Sequence, residues 1–167
     1  MPRVLVALDR SELALHVVEH VARVVQQGEV VLCHVASIPP QLLEHPGAED
    51  PERQRQLEHE AGEARRAYYA QLAGELERDL LEPAKRRLHE RAPPGAEVSV
   101  QTRVLTEPHA QVTEVLLGQL EAGEYDALAV GWHERSPLAA LLDGSVSSKL
   151  ARRVRPVALW LVPWMAP

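Results

Sequence analysis

The residues best suited to chemistry in this chain are those that would meet a phosphate. Gly144-Ser145-Val146-Ser147 stands ahead of a segment with helical spacing, and the first turn of a helix offers unpaired N–H groups and the positive end of its dipole to an anion. Ala7-Leu8-Asp9 closes a short apolar run, and Val35-Ala36, Thr106 and Val130-Gly131 close or follow three others. In an open parallel sheet, ligands bind outside the carboxyl ends of the strands, where the strand order reverses. Together these stretches can make a nucleotide crevice. Simpler roles stand beside this one: Asp9 as a turn residue ahead of a helix, and Ser145 as a helix cap. His133 is either within reach of a phosphate or an exposed loop residue, and Trp132 either stacks on a ligand or covers the rim.

Two other patterns carry less. His16-Val17-Val18-Glu19-His20 matches the H-x-x-E-H zinc-protease pattern formally, but short motifs recur by chance, and the same helix already has a role covering the sheet. The two histidines read as part of its solvated face. Cys33 lies in an apolar strand, where it is a small buried residue rather than a nucleophile. His34 is adjacent to it, but neighbours in a strand face opposite sides. No catalytic residue and no metal ligand is expected.

The elements that must position the crevice follow from hydrophobic spacing. Arg3 to Leu8 is a nearly continuous apolar run, the pattern of a strand covered on both faces. Ser11 to Gln27 repeats Ala14, Val17, Val18, Val21, Val24 and Val25 at helical spacing, with Ser11 as cap and Gly28 as terminator. Glu29 to Val35 reads as the second strand, and the prolines after it mark a loop. A charged segment from Glu52 to Leu81 favours helix, with Pro83 breaking or kinking it before a shorter piece that ends near Arg91. It is a solvated helix over one sheet face, and its placement over the crevice or towards a partner stays open.

Glu97 to Val104 alternates as a strand, and Pro108 to Ala122 returns to helical spacing with Val112, Val115, Leu116 and Leu120 inward. Ala127 to Val130 is a fourth strand, Ser145 to Val154 a helix, and Val157 to Val162 a fifth strand. Strands alternating with helices predict a doubly wound, five-stranded parallel sheet with helices on both faces, an α/β single domain over residues 1–167.

The 167 residues suit one core. A formal charge of −6 excludes a large basic footprint, so nucleic acid is not an expected partner. No segment reaches the roughly 20 apolar residues of a membrane span, and the opening Met1-Pro2-Arg3 lacks the pattern of a secretory leader. With a single cysteine no intrachain disulfide forms. The expected location is cytoplasmic.

The order and spacing of several of these segments resemble the universal stress protein family. Val4-Leu5-Val6-Ala7-Leu8-Asp9-Arg10-Ser11 looks like its opening strand and aspartate turn, Leu32-Cys33-His34-Val35 like its second strand, and Asp126-Ala127-Leu128-Ala129-Val130-Gly131 like its fourth. Gly144-Ser145-Val146-Ser147 with Arg155-Pro156-Val157 resembles its phosphate turn and last strand. The resemblance leaves out mainly a long helical insert near residues 41–91. It implies an adenine nucleotide, ATP or a relative: Asp9 at the ribose or adenine edge, Val35 and Val130 flanking the base, and Gly144, Ser145 and Val146 at the phosphates.

Nucleotide-binding members carry Gly-x-x-Gly, nine residues, then Gly-Ser or Gly-Thr; Gly131 and Gly144-Ser145 match, and Glu134 occupies the middle glycine position. A carboxylate about 4 Å from a phosphate charge costs roughly 1 kcal/mol in water and about 4 at an effective dielectric near 20. Three arrangements accommodate it: Arg135 or Mg2+ offsets the charge, the side chain points outward, or the ligand carries fewer phosphates. Otherwise the site is impaired, and the chain is a dimeric partner-binding module. The terminal strand, with Trp160 and then Trp164-Met165, leaves apolar residues at a sheet edge, which is either paired or covered by the tail. The resemblance implies pairing as a homodimer through Val157 to Val162. Any ATP hydrolysis is expected to be slow, since no general base is paired with a nucleophile.

Overall fold

The computed structural model describes residues 1–42, 47, 49–106, 112–132 and 157–163, the side chains of Leu13, Pro40 and Trp132 apart. The expected helix at Ser145 to Val154 lies outside these residues. The first strand, β1 (Arg3–Ala7), leads to helix α1 (Leu13–Val24) and strand β2 (Gln27–Ala36). Helix α2 (Pro51–Leu76) passes through a π turn (Glu77–Leu81) into helix α3 (Glu82–Arg91), and strand β3 (Glu97–Thr106) follows. Helix α4 (Val112–Gly123) then precedes strands β4 (Ala127–Trp132) and β5 (Ala158–Pro163).

The five strands form one parallel sheet in the order β3-β2-β1-β4-β5. The fold is therefore the predicted doubly wound sheet. The alternation of side chains explains why its strands are apolar on both faces. Val4, Val6 and Leu8 join Val30 and Leu32 in a core against α1 and α3, while Leu5, Ala7, Val31 and Cys33 join Leu116 and Leu120 of α4 on the other face. Each fully buried Leu or Val contributes roughly 1.5–3 kcal/mol relative to exposure, so these two layers are the main source of stability.

Four local expectations are corrected. Ser11 does not cap α1 with its side chain; Glu12 occupies the cap position, and Ser11 instead bonds to Asp9. Gly28 does not terminate the helix, because Val25 already adopts an extended conformation and Gly28 lies inside β2 at φ 121°. A Cβ there would sit 2.2 Å from the Pro2 carbonyl oxygen, the atom that accepts from Glu29 N–H. Glycine is required by that close approach, not by a helix end.

Pro83 does not break the long helical run. An α-helical Pro83 would lack its N–H and crowd the carbonyl four residues back. The chain widens into the π turn just ahead of it, with Glu82 N–H bonded to the Glu77 carbonyl, and resumes as α3 with Pro83 in its first turn. The run is also not solvated throughout. Leu81, Ala84 and Leu88 are buried in the core, and Arg87 pairs with Glu19 of α1.

Candidate functional site

The sheet order places the reversal at β1, which hydrogen-bonds β2 on one side and β4 on the other. A cavity of about 460 Å³ opens at the carboxyl ends of β1 and β2, within the roughly 300–1,000 Å³ of small-molecule sites. Ala7, Leu8, Asp9 and Arg10 form one side and His34, Val35, Ala36 and Ser37 the other. Tyr68, Leu72 and Leu76 of α2 roof it, and Val112 at the start of α4 closes an end.

Asp9 is held by its own turn. Its Oδ1 accepts from Ser11 N–H at 3.0 Å and from the Ser11 hydroxyl, an Asx turn that fixes the carboxylate at the cavity edge. The turn uses only Oδ1, so among the described residues Oδ2 is left as an acceptor for a hydroxyl or amino group.

His34 is fixed by the other strand. Leu8 N–H donates to the Cys33 carbonyl at 2.8 Å, and His34 Nδ1 lies 2.7 Å from the Leu8 carbonyl. A carbonyl can only accept, so Nδ1 carries the proton and the second ring nitrogen of the neutral imidazole is an acceptor. Burial holds the His34 pKa below the usual histidine value; the bond to Leu8 and the Asp9 charge act against this, and Arg10 acts with it. Arg10 also borders a second hollow of about 230 Å³ with Glu75, Leu76, Asp79 and Leu80.

Cys33 is fully buried, and desolvation pushes its thiol up to about 12, partly opposed by Arg103. It has no thiolate to offer at neutral pH. Glu19 of the H-x-x-E-H pattern accepts from Arg87 Nε at 2.6 Å and lies 3.5 Å from Arg91 Nε. Its carboxylate ties α1 to α3. Among the described residues no group of three or more His, Cys, Asp or Glu is placed to hold a metal ion, and no helix is long and apolar enough to cross a membrane.

The model of the universal stress protein family matches residues 1–162. The chain belongs to this family. No curated protein matches it significantly. Solved structures share the universal stress protein fold at low identity. A universal stress protein in complex with cAMP has 18% identity and a TM-score of 0.55, covering 97% of this chain and 96% of that one. The hypothetical protein MJ0577 has 20% identity and a TM-score of 0.55, covering 99% and 98%. A universal stress protein family member from Burkholderia pseudomallei has 20% identity and a TM-score of 0.51, covering 97% and 96%.

Of the residues singled out in the sequence, Ala7, Leu8, Asp9 and Val35 meet at the cavity. Val130 and Gly131 lie near the carboxyl end of the adjoining β4, where Val130 is paired with Ala7 and buried in the α4-side core; neither lines the cavity. His133, Glu134, Gly144, Ser145, Val146 and Ser147 lie outside the described residues, as does Arg135. The sequence reading missed the roof. Tyr68, Leu72 and Leu76 recur every fourth residue along a mostly charged helix, a one-sided stripe that was available as a signal.

Proposed function

We propose that this universal stress protein is a regulatory protein that binds ATP or a related adenine nucleotide in the crevice at the strand carboxyl ends. The observation that carries this reading is the cavity between β1 and β2, with the turn-locked Asp9 at its edge and Val35 in its wall. Its size suits a base and sugar, its apolar lining suits a base face, and Asp9 and His34 supply acceptors for hydroxyl and amino hydrogens. The cAMP complex of a protein with the same fold supports an adenine ligand.

In this reading Gly131, His133, Glu134 and Gly144 to Ser147 meet the phosphates, with Mg2+ offsetting charge near Glu134 where the ligand carries several. The protein binds and reports; turnover of ATP is at most slow. The single domain works in the cytoplasm, with the polar part of residues 41–91 as an elaboration of the family fold. The test is to denature protein purified without added nucleotide, identify released small molecules by mass spectrometry, and titrate the native protein with Mg-ATP and with cAMP in a calorimeter. Co-purified adenine nucleotide or saturable binding supports the reading. Neither, in two independent assays, rejects it.

A second reading rests on β5, which ends the sheet among the described residues and exposes Leu159 and Leu161. Unpaired strand edges with apolar side chains recruit a partner strand. In this reading the chain is a homodimer through residues 157–162, and with Glu134 closing the site, dimer formation and partner binding are the whole function. Sedimentation equilibrium tests the dimer; Glu134→Gly tests the closed site by creating ATP affinity where the natural protein has none.

A further inference from the structure

We infer that Tyr68 of α2 is the stacking residue for the base, so that the roof of the cavity, and not only the strand ends, selects a heteroaromatic ligand. The inference rests on the nucleotide reading above and names how that site would recognise its base.

Helix α2 is mostly hydrophilic. Its Gln54–Glu58, Gln56–Glu60 and Gln71–Glu75 side chains bond to one another on exposed surface. Against this background Tyr68, Leu72 and Leu76 form an apolar stripe, and all three line the cavity. Of these, Leu76 is buried, whereas Tyr68 and Leu72 are only half-buried and keep free surface.

The strands add aliphatic groups to the lining, with Val35 and Ala36 at the end of β2. With an aromatic ring and aliphatic groups both in its lining, the cavity offers a slot for a flat ligand, and a nucleobase presents a π-face to either. The polar groups sit at the edge of this slot. Asp9 offers a carboxylate oxygen, and His34, with Nδ1 given to the Leu8 carbonyl, offers an acceptor on its other nitrogen. Acceptors at the edge complement a base carrying an exocyclic amino group and discriminate against one that presents only a carbonyl there.

The test compares the natural protein with Tyr68→Phe and Tyr68→Leu for binding of ATP, adenosine and inorganic tripolyphosphate, with folding of each checked by circular dichroism. Phenylalanine keeps the ring, and leucine keeps apolar bulk without it. The expected result is near-natural affinity for Tyr68→Phe, with adenosine and ATP binding weakened by about ten- to a hundredfold in Tyr68→Leu, the range lost with an aromatic–base stack, and tripolyphosphate binding unchanged.

Equal adenosine binding by Tyr68→Leu overturns the inference while leaving the nucleotide reading intact. Loss of tripolyphosphate in step with ATP does the same, because the side chain then acts on the whole site. Absence of ATP and adenosine binding by the natural protein overturns both. Should Tyr68→Leu fail to fold, Tyr68→Trp carries the test: an adenosine-dependent change in indole fluorescence beyond that of the natural protein is expected, and its absence overturns the inference.

Discussion

His34 Nδ1 on β2 donates to the main-chain carbonyl of Leu8, 2.7 Å away, at the point where β1 gives way to the Asp9 turn. The bond joins the two strand ends that frame the cavity, and it leaves the imidazole partly buried with its pKa held down by desolvation. A depressed histidine pKa means that the unfolded chain takes up the proton first as pH falls. The stabilising preference for the neutral ring is therefore complete above the unfolded value near 6.5 and is lost between that value and the lower folded one. The urea midpoint should fall more between about pH 7.5 and about pH 5 for the natural protein than for His34→Asn, which cannot titrate. Parallel declines in the two proteins would show that the ring does not feel its burial.

Asp9 and Ser11 separate a turn from a ligand contact. Asn at position 9 keeps an Oδ1 acceptor for Ser11 N–H, so Asp9→Asn should change stability by no more than about 0.5 kcal/mol. On the nucleotide reading it should weaken ATP binding about tenfold, since a charged acceptor becomes a neutral amide. Calorimetry and urea unfolding on the same preparation check both halves.

Leu81 in the π turn is fully buried, whereas Gln71 in α2 is exposed. Leu81→Ala should lower the unfolding free energy by about 2–5 kcal/mol through lost burial and a residual cavity. Gln71→Ala should stay within about 0.5 kcal/mol. Chemical denaturation of the pair measures how far the core reaches into the long helical run.

At Gly28 the backbone has φ 121° and a Cβ would meet a main-chain oxygen. Gly28→Ala should therefore cost at least about 2 kcal/mol, since the strand must shift to relieve both the contact and the backbone strain. A thermal unfolding midpoint unchanged from the natural protein would contradict the assigned register of β2 against the amino terminus.

Cys33 is fully buried with its thiol pushed up to about 12. Its reaction with a disulfide reagent at neutral pH should be slow in the native state and rise with urea along the unfolding curve. A fast native-state reaction would mean that β2 opens locally.

The sheet was legible because a strand covered on both faces must be apolar at nearly every position, as Val4 to Leu8 and Val30 to Cys33 are. That Asp9 and Val35 come to the cavity was legible for the same reason: they lie where those runs end. Strand boundaries were less so, since β2 extends to Gln27 through a glycine that reads as a helix stop when Pro2 is not in view. The course of residues 77–83 was legible only in part: the disturbance ahead of Pro83 was expected, its π geometry was not. A proline in a helical pattern signals a break or a kink, and the chain takes a π turn just ahead of Pro83 while Leu81 and Leu88 seat in the core. The roof escaped notice because Tyr68 and Leu72 are two apolar residues among many charged ones, and their partner surface lies on strands distant in sequence.

From Pro51 to Arg91 the backbone runs from α2 through the π turn into α3 without a loop. The ceiling of the cavity and a wall of the core are thus two ends of one beam, clamped where Leu81, Ala84 and Leu88 enter the core and where Arg87 grips Glu19. Headroom above Asp9 and Val35 is set at that clamp. A residue several turns from the cavity therefore bears on the span that carries Tyr68 and Leu72.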